Sequence, residues 1–200
     1  MPLPDLICGE CLEYKPPATI ICALEYRGLA RELMLMFKFG GRLELGRTFS
    51  AILAEATTAT ELYRPERDEL YREKTRPILL PVPSAHKRLR ERGFSPAAKI
   101  ALGLGKILDL PVVAFRGLKR RGAFVAQSRL SDRRARRQNV RDAFQSGFKT
   151  GQRLPSDIVV VDDVVTTGAT AYAYVDVLRR AGIANVRIVA ACRAIADKKR

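Results

Sequence analysis

The stretch that decides the fold is Ile158-Val-Val-Val-Asp-Asp-Val-Val-Thr-Thr-Gly-Ala-Thr170. Its first four residues are β-branched and apolar, which is typical of a short strand buried on both faces of a parallel sheet. Asp162 and Asp163 follow, and we predict that they lie where this strand leaves the sheet. Residues 167–181 are predicted to form a helix that Gly182 ends. A strand, a polar loop and a helix in this order are typical of α/β proteins, whose ligands bind at the carboxyl ends of strands.

The segments on either side of this stretch fit the same class of fold. Residues 186–191 form the next apolar run, so a strand, a helix and a strand follow one another, as in right-handed parallel crossovers. Upstream, residues 78–82 predict a buried strand and residues 112–115 predict a short one. Apolar residues recur at helical spacing in three further segments, 29–39, 47–63 and 97–108. The sequence therefore predicts an α/β fold with a central parallel sheet.

The composition limits the class of partner. A length of 200 residues with 47% hydrophobic residues favours one globular domain. The 36 Lys and Arg against 21 Asp and Glu give a net charge of +15, which excludes an acidic solvating protein. This charge favours nucleic acid, a phosphorylated metabolite or an acidic protein as partner. Since no apolar run reaches about 18 residues and the N-terminus lacks a signal-peptide pattern, we expect no membrane insertion and a cytoplasmic location.

The N-terminus is predicted to be a distinct short arm. Residues 1–22 contain four prolines around Cys8 and Cys11, and residues 23–200 are predicted to form the main domain. Cys8 and Cys11 form a C-x-x-C pair, which supplies half of the four ligands that a tetrahedral zinc site needs. The sequence is compatible with two alternatives: this pair binds zinc, or the arm contains no metal. Cys22 and Cys192 lie in apolar surroundings and are predicted to be core residues.

The loop after the 158–161 strand offers groups for two parts of one ligand. The two carboxylates can accept hydrogen bonds from sugar hydroxyls, and the free N–H groups of a helix start suit a phosphate dianion. The residues expected around this phosphate are Thr166, Thr167, Gly168, Ala169 and Thr170. Together these groups match a ribose 5-phosphate. The alternative is a capped helix preceded by two solvated aspartates.

This segment resembles the phosphoribosyl pyrophosphate (PRPP) motif of type I phosphoribosyltransferases. Three other stretches narrow the resemblance to the competence protein F family. Phe37-Lys38-Phe39-x-Gly41 is similar to the F-K-[YF]-x-G motif of that family. Pro81-Val-Pro, followed by Arg88, Arg92, Gly93 and Phe94, resembles its P-V-P…R-x-x-x-R-G-F signature. Gln127-x-x-Leu130 with Asn139-Val-x-x-Ala-Phe144 resembles its Q-x-x-L…N-V-x-x-A-F stretch. The chain departs from the family at three points: it has one cysteine pair where two are common, Ser95 where Asn is usual, and Phe124 where Thr is common.

The resemblance implies a role for each matched residue. Asp162 and Asp163 would bind the ribose 2- and 3-hydroxyls, and residues 166–170 would hold the 5-phosphate. The loop after the 78–82 strand would bind pyrophosphate through Ser84, Lys87, Arg88 and Arg92. Residues 116–141 resemble the mobile loop that closes over PRPP, and the residues expected near the leaving group are Lys119, Arg120 and Gln127. Mg²⁺ would bridge pyrophosphate and ribose oxygens.

The resemblance implies two alternative functions. The first is phosphoribosyl transfer from PRPP with release of pyrophosphate, in a role linked to DNA uptake and competence. The alternative is a non-catalytic protein that senses PRPP or a nucleotide and binds single-stranded DNA, with a competence helicase as partner. Residues 116–141 contain ten Lys or Arg and one acid, which suits contact with nucleic-acid phosphates as well as it suits a solvated basic helix. The arginines expected on this nucleic-acid surface are Arg133, Arg134, Arg136 and Arg137.

Overall fold

The structure is a computed structural model that describes residues 18–60, 76–113, 118–120, 144–146 and 155–195. The strands are β1 (Ile20–Glu25), β2 (Ile78–Pro81), β3 (Leu118–Arg120), β4 (Phe144–Ser146), β5 (Asp157–Val165) and β6 (Asn185–Arg193). The helices are α1 (Gly28–Phe39), α2 (Leu45–Ala59), α3 (His86–Arg92), α4 (Pro96–Leu108) and α5 (Ala169–Arg180).

Within these ranges, four strands form one parallel sheet in the order β1-β6-β5-β2. The strand predicted from the Ile158–Val161 run is β5, which lies between β6 and β2. Parallel neighbours bring their carboxyl ends to the same edge of the sheet. The prediction of an α/β fold with a central parallel sheet is confirmed.

Helices cover both faces of the sheet. Side chains alternate along β5, so Ile158 and Val160 pack on the face covered by α5, while Val159 and Val161 pack on the opposite face. The opposite face is covered by α1, α2 and α4, and its fully buried side chains include Met34, Phe37, Leu53, Ile100 and Leu104. This burial on both faces explains why the strand reads as an unbroken apolar run. None of the helices in the described ranges is long and apolar enough to cross a membrane.

The first strand was not predicted, because residues 20–22 were assigned to the irregular arm. β1 lies at the edge of the sheet and pairs with β6, from Ile20 beside Ile188 to Glu25 beside Arg193. Its partner is therefore the last of the described strands, and no local pattern in the sequence reveals this pairing. The remainder of the arm, residues 1–17, lies outside the described residues and includes the Cys8 and Cys11 pair.

Several other boundaries differ from the predictions. Helix α2 ends at Ala59 rather than at residue 63, and α5 begins at Ala169 rather than at residue 167. Of the short strand predicted at residues 112–115, Val112 forms a parallel bridge with Leu79, and residues 114 and 115 lie outside the described residues.

A small antiparallel ladder joins β3 and β4, with Lys119 beside Gln145 and Arg120 beside Phe144. The resemblance had assigned Lys119 and Arg120 to a mobile loop. The ladder concerns only their backbone, and the position of both side chains near a leaving group stays a prediction. Gln127 lies outside the described residues.

Candidate functional site

The acidic pair lies beyond the end of the neighbouring strand. β2 ends at Pro81, which lies beside Val161, whereas β5 continues beside β6 as far as Val165. The last hydrogen bond to the β2 side runs from the Val82 N–H to the Val161 carbonyl, at 2.9 Å. Asp162 and Asp163 therefore stand at the carboxyl edge of the sheet, past the point where β2 leaves it. The prediction that β5 itself ends before the pair is wrong, because continued pairing with β6 keeps both residues in a strand.

Asp162 is the more buried of the two carboxyls. It is 9% exposed, and its Oδ1 accepts a hydrogen bond from the Asp163 N–H at 2.9 Å. Burial, followed by the negative charge of Asp163, raises the pKa of Asp162 well above its usual value. Asp162 therefore takes up a proton more readily than an ordinary aspartate, and in that form it can donate a hydrogen bond as well as accept one.

Asp163 has a cation beside it. Its Oδ2 lies 2.7 Å from the Lys38 Nζ, and the two side chains are 16% and 13% exposed. Its Oδ1 accepts a hydrogen bond from the Val164 N–H at 2.8 Å. Burial alone would raise the pKa of Asp163, but the Lys38 ammonium and the hydrogen bonds to the carboxylate outweigh it and hold the pKa below its usual value. The two neighbouring carboxyls therefore differ in chemistry.

Lys38 is a site residue to which the sequence analysis gave no role. Its partner lies on β5, far along the chain, so no local spacing predicts the contact. One signal was present: Lys38 follows Met34 by four positions, next to the buried stripe of α1 formed by Met34 and Phe37. A charged side chain at such a position needs a partner, because burying an unpaired charge is costly.

The loop between β5 and α5 turns at a position that only glycine fits. Gly168 is buried and has a φ of 76°, in the left-handed region that disfavours other residues. A Cβ at this position would lie 2.7 Å from Tyr172 Cε2 and 3.1 Å from Ile20 Cδ1. The backbone of the loop is therefore held against α5 and the edge strand β1.

The loop between β5 and α5 contains threonine hydroxyls and leads into the N–H groups of the first turn of α5. Thr166 and Thr167 are exposed, and Thr170 lies in the first turn of α5. The Ala169 N–H lies 3.4 Å from the Thr167 Oγ1. The N–H groups of a first helical turn have no intrahelical acceptors and attract anions. Binding of a 5-phosphate here stays a prediction.

The segment predicted as a pyrophosphate loop is a short helix. α3 begins after Ala85 and ends at Arg92, and the following Gly93 has a φ of 75° and donates its N–H to the Leu89 carbonyl at 2.9 Å. The prediction of a loop is wrong for Lys87, Arg88 and Arg92, because residues 86–92 consist mostly of good helix formers followed by a glycine cap.

Because α3 follows β2, it lies toward the same sheet edge as the acidic pair. The Arg92 guanidinium stacks over the Phe39 ring, with its Cζ 4.5 Å from the ring centroid. Arg88 is exposed, and Lys87 is exposed and lies 4.0 Å from the Glu91 carboxylate. Ser84 is turned toward the start of α4, where its hydroxyl lies 3.0 Å from the Ser95 hydroxyl.

The remaining predicted sites have mixed outcomes. Cys192 is buried as predicted, whereas Cys22 is half-buried, and burial raises the pKa of both thiols to about 11. In the part of the chain that the structure describes, no group of three His, Cys, Asp or Glu side chains could hold a metal ion. The cysteine pair of the arm and the four arginines of the predicted nucleic-acid surface lie outside that part.

The sequence is similar to two proteins over most of its length. It is 26% identical over 192 residues to Competence protein F of Haemophilus influenzae, covering 94% of this chain and 78% of that protein. It is 29% identical over 195 residues to the DNA utilization protein YhgH of Escherichia coli O157:H7, covering 95% of this chain and 79% of that protein. The chain is a homologue of both. The resemblance to competence protein F that the motifs indicated is confirmed.

Structural comparison gives more distant similarities, and no family model matches the chain. A hypoxanthine phosphoribosyltransferase from Staphylococcus aureus shares 12% identity, with a TM-score of 0.42 over 76% of this chain and 75% of that chain. The UMP synthase of Leishmania donovani shares 17% identity, with a TM-score of 0.34 over 78% of this chain and 23% of that chain. At these TM-scores the fold assignment rests on the sheet topology described above.

Proposed function

We propose that the chain binds PRPP with Mg²⁺ at the carboxyl edge of β5 and transfers the phosphoribosyl group to an acceptor with release of pyrophosphate. The observation that carries this proposal is the acidic pair past the end of β2, followed within a few residues by the glycine turn into α5. The pair suits the ribose hydroxyls, and the loop at residues 166–170 suits the 5-phosphate.

The cations of α3 support the pyrophosphate end of the proposed site. Arg88 and Arg92 belong to the helix that follows β2, the strand next to β5. Arginine can form two parallel hydrogen bonds to a phosphate group and stays charged at any physiological pH. PRPP would therefore extend from the loop at residues 166–170, past the acidic pair, toward α3.

The proposed reaction is a displacement at C1 of the ribose. The bond from C1 to the pyrophosphate oxygen breaks with its electron pair, which leaves on pyrophosphate, while an acceptor lone pair forms the new bond to C1. Positive charge develops on the ribose ring, as in other glycosyl transfers. In this proposal the carboxylate of Asp163 would stabilise that charge, and Arg88 and Arg92 would stabilise the leaving pyrophosphate.

The carboxyl and hydroxyl groups at this edge offer oxygen atoms as ligands, and oxygen is the ligand type that Mg²⁺ prefers. The ion would be held mainly by the diphosphate and ribose oxygens of PRPP, and it would neutralise part of the pyrophosphate charge. The protein groups would orient the ligand around it. The proposed link to DNA uptake rests on the two relatives, whose names refer to competence and to DNA utilization.

The experiment is calorimetric titration with PRPP and Mg²⁺, followed by a pyrophosphate-release assay over nucleobases and amines as acceptors. The double variant Asp162→Asn with Asp163→Asn should bind PRPP at least about tenfold more weakly, since a hydrogen bond to a charged group is worth roughly 1.5–3 kcal/mol. The matched control is Glu32→Gln with Glu55→Gln, which removes two exposed charges on α1 and α2. Equal PRPP binding by the acidic-pair variant and the control variant would refute the ribose assignment.

A second candidate function is binding of single-stranded DNA, favoured by the net charge of +15 and by the exposed cations of α3. Such binding should weaken steeply with salt, because it depends on counterion release. Four arginines of the predicted nucleic-acid surface can be changed to Gln. If all four contact phosphates, the slope of log affinity against log salt concentration should become less steep by several units. These arginines are Arg133, Arg134, Arg136 and Arg137. Anisotropy titrations at three salt concentrations test this, and an unchanged slope would exclude the four residues from the DNA surface. A helicase partner stays a prediction.

A further inference from the structure

The last turn of α1 contacts both ends of the proposed site through adjacent residues. Lys38 pairs with Asp163 at 2.7 Å, on the ribose side. The next residue, Phe39, lies under the guanidinium of Arg92, on the pyrophosphate side. One helical turn therefore joins the acidic pair of β5 to the end of α3.

This turn is itself fixed in the core. Phe37 is fully buried, and its ring centroid lies 5.4 Å from that of Phe94, which directly follows the cap of α3, and 6.0 Å from that of Phe49 on α2. The helix ends at Phe39, and the N–H of the following Gly40 donates to the Met36 carbonyl at 2.8 Å. Lys38 and Phe39 therefore project from a backbone that has little freedom to shift.

Stability does not explain a nearly buried ion pair at this position. Removing two charges from water costs about as much as their mutual attraction returns, so an apolar pair of similar volume is often at least as stable. A carboxylate has room for about four hydrogen bonds. Asp163 accepts hydrogen bonds from Lys38, from the Val164 N–H and from the Asp162 carboxyl, which leaves about one acceptor position for a ligand hydroxyl.

We propose that Lys38 is a positioning residue of the site: it holds the Asp163 carboxylate in one orientation toward the ribose, while Phe39 holds Arg92, so that α1 sets the spacing between the two ends of PRPP. This inference rests on the proposed function. Lys38 acts through Asp163, and Phe39 acts through Arg92. Each contact should therefore matter for a different part of the ligand.

Ribose 5-phosphate and inorganic pyrophosphate are two partial ligands, each of which corresponds to one end of PRPP. Calorimetric titration with each of them in the presence of Mg²⁺ tests the Lys38 contact and the Phe39 contact separately. Lys38→Met should weaken ribose 5-phosphate binding about tenfold and leave inorganic pyrophosphate binding nearly unchanged. Phe39→Leu should weaken pyrophosphate binding about two- to fivefold and leave ribose 5-phosphate unchanged, because an exposed cation–π contact is weak. Lys38→Arg, which keeps the charge, should restore most of the ribose 5-phosphate affinity. Arg31→Met is the matched control, since it removes one exposed cation from the same helix.

Two outcomes of these titrations would overturn the proposal. If Lys38→Met binds ribose 5-phosphate as tightly as the unchanged protein or more tightly, Lys38 competes with the ribose instead of positioning its acceptor. If Arg31→Met causes the same loss, the effect comes from net charge alone. Where Lys38→Met does not fold, Lys38→Gln takes its place.

A readout without any ligand keeps this inference separate from the proposed function. The side-chain carboxyl of Asp163 can be followed by carbon NMR during an acid titration. The titratable groups near it are Lys38 on α1, Asp162 on β5 and Cys192 on β6. Lys38→Met should raise the titration midpoint of Asp163, and Lys38→Arg should return it. If the unchanged protein binds neither partial ligand, the proposed function is wrong, while an unchanged midpoint would overturn the role of Lys38.

Discussion

Gly168→Ala should destabilise the chain more than Gly182→Ala, although the two glycines flank the same helix. Both have positive φ angles, 76° and 95°, and a residue with a Cβ loses roughly 1–2 kcal/mol of stability in such a conformation. A Cβ at Gly182 would meet no atom within 4 Å, whereas at Gly168 it would lie 2.7 Å from Tyr172 Cε2. Forcing a well-packed side chain aside costs roughly 1–3 kcal/mol more. We expect losses of about 1–2 kcal/mol for Gly182→Ala and about 2–5 kcal/mol for Gly168→Ala.

Thermal unfolding followed by circular dichroism measures this difference, since each kcal/mol shifts Tm by roughly 2–4 °C in a chain of this size. Gly168→Ala should also weaken binding of ribose 5-phosphate, because the N–H groups of the loop would move with the backbone. Gly182→Ala should bind it as the unchanged protein does. Equal Tm losses for both variants would refute the steric reasoning about Gly168. Unchanged ligand binding by a folded Gly168→Ala variant would mean that this loop does not hold the phosphate.

Three further predictions concern stability, each measured by urea denaturation. Asp162→Asn should raise the free energy of unfolding near neutral pH. A carboxyl with a raised pKa contributes its full stabilisation below its usual pKa of about 3.9, and this contribution is lost as the pH rises through the raised pKa. A gain in stability that does not shrink toward pH 4 would contradict this. Asp163→Asn should lower the free energy of unfolding near neutral pH by about 1–3 kcal/mol, which is less than for a fully buried ion pair. Because the pKa of Asp163 is depressed, its contribution to stability disappears as the pH falls through that pKa. A neutral-pH stability equal to that of the unchanged protein would argue against the ion pair. Phe49→Ala should cost about 3–5 kcal/mol because its ring is buried against Phe37, and the exposed Phe39→Ala is its control; equal small losses would contradict this packing.

Much of the fold was predictable because its signals are local. The four apolar residues before Asp162 define a strand buried on both faces, and Gly182 ends the helix that follows, with a φ of 95°. The edge strand β1 was missed because an edge position is defined by its partner, β6, at the other end of the chain. Residues 86–92 were assigned to a loop because their charge was read as ligand chemistry, while their helix-forming composition was not weighed.

The site was predictable to the extent that one segment contains it. Asp162, Asp163 and the loop at residues 166–170 are contiguous, so their chemistry is visible in the sequence. The contact between Lys38 and Asp163 joins two elements that only the packing of α1 on the sheet brings together. The difference between the two carboxyls depends on that contact and on burial, so it could not be inferred from their adjacency.

α3 differs from the other helices because none of its seven residues is buried. An isolated helix of this length is unstable in water, so its order depends on the Gly93 cap and on the contact of Arg92 with Phe39. Opening α3 locally exposes little apolar surface beyond part of Leu89, whereas opening α4 would expose Ile100 and Leu104, which are fully buried. Its backbone amides should therefore exchange their hydrogens with solvent through small local openings, well before those of α4. An anion that bridges the cations of α3 would slow this exchange without changing the protection of the sheet.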